Sequence, residues 1–459
     1  MKRLLPLVLA LLVVVLMTAC GTPANNSTIT DVDASTITES NAGNTIPTNV
    51  GTFNKTAQIA ETVLVDENNV KITATGLTYD DYNAEVELLI ENNSDKDLSF
   101  VCGSSGYNCN SINGYMTPDG YLFCDVTAGK KAYDSVSFSY DELMLYGINE
   151  IADIELGFCI ENDDYNRTYT GPQQIKTSIA NSFDYDKEYF QDAITDPSVQ
   201  KAFYYSTEFF SADTLYDQNG ISVRSEALVE NGHGELMLLL EIMNASSEMV
   251  YVVTDDIAIN GLVCRTSPWS SDMVTPGKKS VAVIQLHSVL SKSYWDDLGI
   301  KDITSIDLTI NIEDQEGTAL ADPAALSVKI SDSNQFDSSG AEVYNANGIR
   351  VISKGVFESD SDYDDDLYPI LLVENNSGKT IRVYDVYDSL SINGFMMDYY
   401  LTSVEIDDGK CAVVEIDLYD SSLKKNKITS ISDIAELELK LSFLSGNKTI
   451  DEPKVIITY

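Results

Sequence analysis

The sequence predicts an all-β protein built as three tandem antiparallel β-sandwich domains. Two observations carry that prediction. The first is a set of landmarks that recurs three times in one order. Ile112-Asn113-Gly114 returns as Ile259-Asn260-Gly261 and Ile392-Asn393-Gly394. Gly129-Lys130-Lys131 returns as Gly277-Lys278-Lys279 and Gly409-Lys410-Cys411, and Ile154-Glu155-Leu156 as Ile306-Asp307-Leu308 and Leu437-Glu438-Leu439. Upstream, LLIENNS ending at Ser94 matches LLVENNS ending at Ser377, with LEIMNAS ending at Ser246 as a weaker middle copy. Units of about 130–150 residues are domains, far longer than the roughly 20–50-residue periods of solenoids and propellers. The second observation is a period of two inside each unit. Val86, Leu88 and Ile90 alternate with Glu85, Glu87 and Glu91, and Leu437, Leu439, Leu441 and Phe443 repeat the pattern. Each unit holds about seven or eight such segments between Gly, Asn, Asp and Pro clusters, the pattern of a two-sheet sandwich.

In chain order, residues 1–20 are a processing signal. Lys2 and Arg3 precede an aliphatic run from Leu4 to Val15, and Thr18-Ala19-Cys20 closes it. This ending resembles the lipobox of bacterial lipoproteins, which implies cleavage before Cys20 and a diacylglycerol on its sulfur. Acyl chains at about 0.8 kcal/mol per buried CH₂ would anchor the chain on the extracellular face of the cell membrane. Residues 21–55 are rich in Thr, Asn and Ser, a tether with a reach of about 30 Å. The units are assigned to 56–180, 205–332 and 337–459, and each is expected to fold by itself. An aromatic insert at 181–204 lies between the first two, either packing them together or offering a strip to a partner.

Asn-Gly is the dipeptide that most easily places two successive residues at positive φ, so each Ile-Asn-Gly is read as a two-residue hairpin turn and not as a ligand loop. SYDELMLYGI is read as a short helix, with Ser139 and Glu142 as a capping box and Gly147 as its stop; SYWDDLGI from Ser293 is its counterpart. With the ENNS, Ile-Asn-Gly and Gly-Lys-Lys landmarks placed, the chain from about Thr56 to Tyr459 resembles Gram-positive, Firmicute-type surface lipoproteins with tandem immunoglobulin-like repeats. The resemblance implies immunoglobulin-like sandwiches on the cell surface, and it implies no reaction and no ligand.

A formal charge of −43 and a pI near 4.1 exclude nucleic acid as a partner and disfavour adsorption to anionic lipid, leaving cations, basic proteins or neutral glycans. No Gly-x-Ser-x-Gly, phosphate-loop, His-Glu-x-x-His or Cys-x-x-Cys motif occurs. The two histidines are His233 and His287, and the many carboxylates read as solvated strand faces. Cys102, Cys109, Cys124, Cys159, Cys264 and Cys411 fit buried free thiols better than a disulfide framework, with a Cys102–Cys109 bridge as the alternative. Asp360, Asp362 and Asp364 alternate like the start of a Ca²⁺ loop. Asp365 and Leu371 stand where Gly and Glu are wanted, so no cofactor is expected and Ca²⁺ is only a weak candidate. The rings after the turns, Tyr115, Tyr121, Trp269, Phe395, Tyr399 and Tyr400, are the candidate ligand contacts, because a flat apolar ring with a polar tip suits a sugar face. The expected function is a membrane-anchored extracellular binding or adhesion protein with a glycan or protein ligand. The alternative is a structural spacer or scaffold subunit, and a carboxylate-dependent, glycoside hydrolase-like enzyme ranks last. Oligomeric state is left open.

Overall fold

The computed structural model describes residues 53–103, 107–117, 119–263, 270–286, 302–331, 337–358, 367–401 and 403–459. Cys20, Cys264, Trp269, His287, the helix at Ser293 and Asp360, Asp362 and Asp364 lie outside the described residues.

The chain is all-β, three antiparallel sandwiches in series. In the first unit one sheet runs Thr62–Glu67, Val70–Tyr79, Asn83–Asn92 and Lys130–Ser139 in that spatial order. The facing sheet is centred on Asp153–Asn162, with Arg167–Lys176 along one side and both Leu98–Cys102 and the Ile-Asn-Gly hairpin, one after the other, along the other. Val86, Leu88 and Ile90 point between the sheets and are fully buried, while Glu87 is exposed, as the period of two requires. The globular part begins slightly before Thr56: Phe53 is buried and stacks on Tyr140 at 4.4 Å between ring centroids.

All three Asn-Gly pairs have positive φ at both residues: 49° and 91° at Asn113-Gly114, 53° and 81° at Asn260-Gly261, 52° and 81° at Asn393-Gly394. Each asparagine is also a clamp. Asn113 donates from Nδ2 to the Glu150 carbonyl (2.7 Å) and accepts at Oδ1 from the Ala152 N–H (2.7 Å). Asn260 does the same to Asp302 and Thr304, and Asn393 to Asp433 and Ala435. The ENNS landmark has an equal role. Asn92, Asn244 and Asn375 are fully buried and each donates to two main-chain carbonyls, for Asn244 those of Glu248 and Val274, both at 2.8 Å. Each also accepts from the N–H two residues on, at Ser94, Ser246 or Ser377. Asn-x-Ser is therefore the invariant of the landmark, which is why NAS serves in the middle unit.

The helix predicted at SYDELMLYGI spans Tyr140–Leu145, but its capping box does not form. Ser139 makes no side-chain cap, and Glu142 turns inward to accept from Thr117 Oγ1 at 2.8 Å. Gly147 does end it, at φ 72°. Cys102, Cys109, Cys124, Cys159 and Cys411 are buried free thiols, and burial pushes the Cys102 thiol up to about 12. Among the described residues no helix is long and apolar enough to cross a membrane.

The units are not separated by gaps. In the 181–204 insert, helices Tyr189–Thr195 and Pro197–Phe203 pack between the first two units, with Phe190 and Ile194 buried in a core that also takes Met237, Leu239, Val281 and Val283 from the second. The core of the second unit in turn includes Ile352, Ile370, Leu372 and Val413 of the third.

Candidate functional site

Each boundary between units is built by an Ile-Asn-Gly hairpin. At the first, the outer hairpin strand Tyr115–Met116 pairs in parallel with the strand Lys279–Gln285 of the next unit, Tyr115 opposite Lys279. Lys279 donates its main-chain N–H to the Gly114 carbonyl at 2.8 Å, and its Nζ lies 5.6 Å from the Tyr115 ring centroid. One residue earlier, Lys278 pairs with Glu155 at 2.9 Å. At the second boundary Leu262 and Val263 pair in parallel with Cys411 and Ala412, and Lys410 pairs with Asp307 at 2.7 Å. Counted from the Gly-Lys landmark, Lys279 and Cys411 are equivalent. The two seams share one register and one ion pair.

The first seam also encloses charge. Arg224 donates to Glu226 and to Glu241, both at 2.6 Å, Glu188 pairs with Arg224 and Lys279, and Tyr115 donates its hydroxyl to Glu241 at 3.2 Å. Burial pushes the Glu226 carboxyl up to about 7 against the pull of Arg224. Nearby, burial and the Asp119 carboxylate push Glu142 up to about 8, and burial raises Asp119 as well. Glu142 lines a cavity of about 70 Å³, walled by Tyr146, Phe190, Met237 and Val281, with room for a few waters. An acid held neutral at such a place donates a hydrogen bond more readily than it takes up a proton.

The third hairpin pairs Phe395 with Ile392 on its inner side, while Phe395 and Met396 are 55% and 58% exposed. Tyr115 and Met116, the same positions in the first unit, are 4% and 6% exposed. Tyr400 and Tyr419 are exposed beside the hairpin, which Asn426 ties to the helix Asp420–Lys425 by donating to the Met396 carbonyl.

The predicted aromatic contacts therefore divide. Tyr121, Phe395 and Tyr400 are exposed. Tyr115 is corrected from ligand contact to seam residue, because the second unit covers it. Tyr399 is half-buried, with its hydroxyl 2.5 Å from Asp385, which holds the phenol against the sheet. Phe395 and Tyr400 share one segment; Tyr121 is in the first unit. Met396 and Tyr419 were missed, although Met396 follows the same turn as Met116. Among the described residues no cluster of three or more His, Cys, Asp or Glu side chains is arranged to hold a metal ion.

No protein-family profile matches the chain, and no curated protein does. Solved structures similar to it include one concerned with host cell surface retention of a 1.5-MDa bacterial ice-binding adhesin, at 10% identity over 82% of this chain and 90% of that one, TM-score 0.14. Another is the BSP domain of a biofilm-associated protein, at 11% identity over 89% and 68%, TM-score 0.12. A third is a protein of Porphyromonas gingivalis W83, at 10% identity over 49% and 91%, TM-score 0.14. At such TM-scores the likeness does not reach a shared fold.

Proposed function

We propose that the chain is a membrane-anchored extracellular binding or adhesion protein, displaying three immunoglobulin-like domains toward a glycan or protein ligand. The observation that supports this most is the exposed group at Phe395, Met396, Tyr400 and Tyr419 in the unit farthest along the chain from Cys20. An uncovered aromatic and thioether surface on an acidic protein is the usual mark of a contact face. Lipidation of Cys20 would hold the first unit near the bilayer and leave the third at the far end. The scaffold reading keeps its own support, the parallel strand pairing across both seams, which suits a stiff spacer. No catalytic role is proposed: the buried acid Glu142 lines an apolar-walled cavity, and Asp119 is taken up by the Ser139 N–H.

The test is a binding screen of the chain from Gly21 against glycans, cell-wall polymers and surface proteins. Phe395→Ser with Tyr400→Ser is expected to weaken the best binder more than about tenfold without loss of stability. A ligand bound equally well by that variant would remove the third unit from the proposal. In cells, Cys20→Ser is expected to release the protein or leave an uncleaved precursor, and persistent lipid labelling of that variant would overturn the anchor.

A further inference from the structure

Two edges of the molecule are complementary to each other. The outer hairpin strand Phe395–Met396 is the aromatic–methionine pair that Tyr115–Met116 forms at the first seam, but no unit covers it. At the other end, the strand Lys130–Ser139 closes the first sheet as an edge, and its opening Gly129-Lys130-Lys131 is the Gly277-Lys278-Lys279 that receives Tyr115. Tyr133, equivalent to Val281 and Val413, is 78% exposed where each of those is 4% exposed.

We infer that the protein associates head to tail with a second copy of itself, the Phe395–Met396 edge of one copy pairing in parallel with the Lys130–Ala132 edge of the next. The inference deepens the proposed function and rests on its reading of the third unit's tip as a contact face. The internal register carries over residue by residue. Phe395 falls opposite Lys131, as Tyr115 does opposite Lys279, so the Gly394 carbonyl receives the Lys131 N–H and the Lys131 ammonium comes to the Phe395 ring. Lys131 is already held over its own sheet by Glu91, as Lys279 is by Glu241. Lys130 meets Glu438, the pair that Lys278 makes with Glu155 and Lys410 with Asp307. Glu438 is half-exposed and held meanwhile by Lys454 at 2.6 Å.

Around this strand pair the chemistry differs from the internal seam, and it differs in a complementary way. Met237 and Leu239 of the second unit pack against the core containing Tyr146 of the first. Counting from Asn92 and Asn244, their equivalents in the first unit are Glu85 and Glu87, half-buried and exposed. Counting from Ile148 and Ile428, the equivalents of Leu145 and Tyr146 in the third unit are Lys425, exposed, and Asn426, half-buried, with Lys427 exposed beside them. An apolar contact inside the chain becomes lysine facing glutamate between chains. Such an interface is weaker, reversible and salt-dependent. Because its two faces differ, it continues into a row of copies instead of closing as a two-fold dimer.

Sedimentation velocity on the chain from Gly21, which retains every described residue, tests this. Dimers and longer species are expected to grow with concentration at low salt and to disappear at about 0.5 M salt, where the screening length is only a few ångströms. Phe395→Asp with Met396→Asp blocks one edge, and Lys130→Glu with Lys131→Glu blocks the other. Each variant is expected to be monomeric alone, and the two mixed should form a one-to-one complex that grows no further. Charge reversal at Glu85→Lys and Glu87→Lys should weaken self-association more than about tenfold, and Lys425→Glu with Lys427→Glu should restore it. A monomer at every concentration and salt, association indifferent to these variants, or blocked variants that do not combine would each overturn the inference. If the chain is monomeric and Phe395→Asp still abolishes binding of a glycan or foreign protein, self-association falls while the proposed function stands.

Discussion

The two internal seams solve one packing problem in opposite ways. At the first, Arg224 lies opposite Glu241 across neighbouring strands; at the second, the equivalent positions are Ile352 and Leu372, both fully buried. Both seams use the same hairpin register, so the difference isolates what a charge pair contributes at a buried boundary. Removing two charges from water costs several kcal/mol per ion, and mutual attraction recovers that only when the remaining hydrogen-bonding groups are also satisfied. Arg224 comes close, with Glu188, Glu226 and Glu241 around it, yet Glu226 Oε2 is buried with no hydrogen-bond partner. The ionic seam thus adds geometric specificity and pH dependence, and the Ile–Leu seam adds area.

The largest expected effect breaks that comparison directly. Arg224→Ala should cost about 3–5 kcal/mol in urea unfolding, because Glu226 is left buried without its cation and Glu241 keeps only the Lys279 ammonium, at 3.3 Å. Arg224→Ile together with Glu241→Leu, which copies the second seam into the first, should recover more than half of that loss. A double variant no better than Arg224→Ala would show that the network as a whole holds the seam together.

The next test uses a feature shared by all the units. Asn375→Ala leaves the Lys379 and Ile406 carbonyls and the Ser377 N–H without their partner, a loss of about 2–4 kcal/mol at about 1–3 per buried unsatisfied group. Asn244→Ala, beside the ionic seam, should cost the same within about 1 kcal/mol if the clamp is independent of seam chemistry. Unequal losses by calorimetry would mean that the seams feed back into the sheets.

Turn backbone comes third. An added Cβ at Gly261 or Gly394 meets nothing within 4 Å, so valine at either is penalised by positive φ alone, on the order of 1–3 kcal/mol. Gly261→Val should additionally loosen the second seam, seen as hydrogen exchange at Cys411 and Ala412, whereas Gly394→Val should leave both seams protected. Equal exchange in the two variants would dissociate the turns from the boundaries.

The smallest effect is a pH dependence at the first boundary. The folded pKa of Glu142 is raised, so the folded chain keeps a proton that the unfolded chain releases. That stability is fully present below the ordinary glutamic acid range and is lost as pH rises toward about 8. Glu142→Gln should flatten the decline between about pH 5 and 8; an unchanged slope would assign it to Glu226 and Asp272, which burial raises in the same direction to about 7 and about 6.

Much of this was legible in the chain. Period-two runs set which side chains of Asn83–Asn92 face inward, and Asn-Gly specified three turns, because both signals act within a few residues. The seams left a subtler trace. Strand Asn83–Asn92 alternates but for Leu89, whereas Leu236–Leu240 and Pro369–Val373 are unbroken runs of five apolar residues, the pattern of strands covered on both faces. Ser139 and Glu142 looked like a cap, yet Thr117, just past the strand Tyr115–Met116 and distant in sequence, claimed the carboxylate.

By itself the sequence determined the repeat, the hairpin turns, the inward face of the first sheet and the extracellular expectation attached to Cys20. Only the tertiary structure decided that Asn113 reaches Glu150, that Arg224 and Glu241 meet, and that Tyr115 is covered while Phe395 is open. The physical reason is range. Turn and strand preferences are set by the few residues around each peptide, whereas the fate of an aromatic after an Asn-Gly turn depends on whether another Gly-Lys strand, more than a hundred residues away, arrives to lie against it.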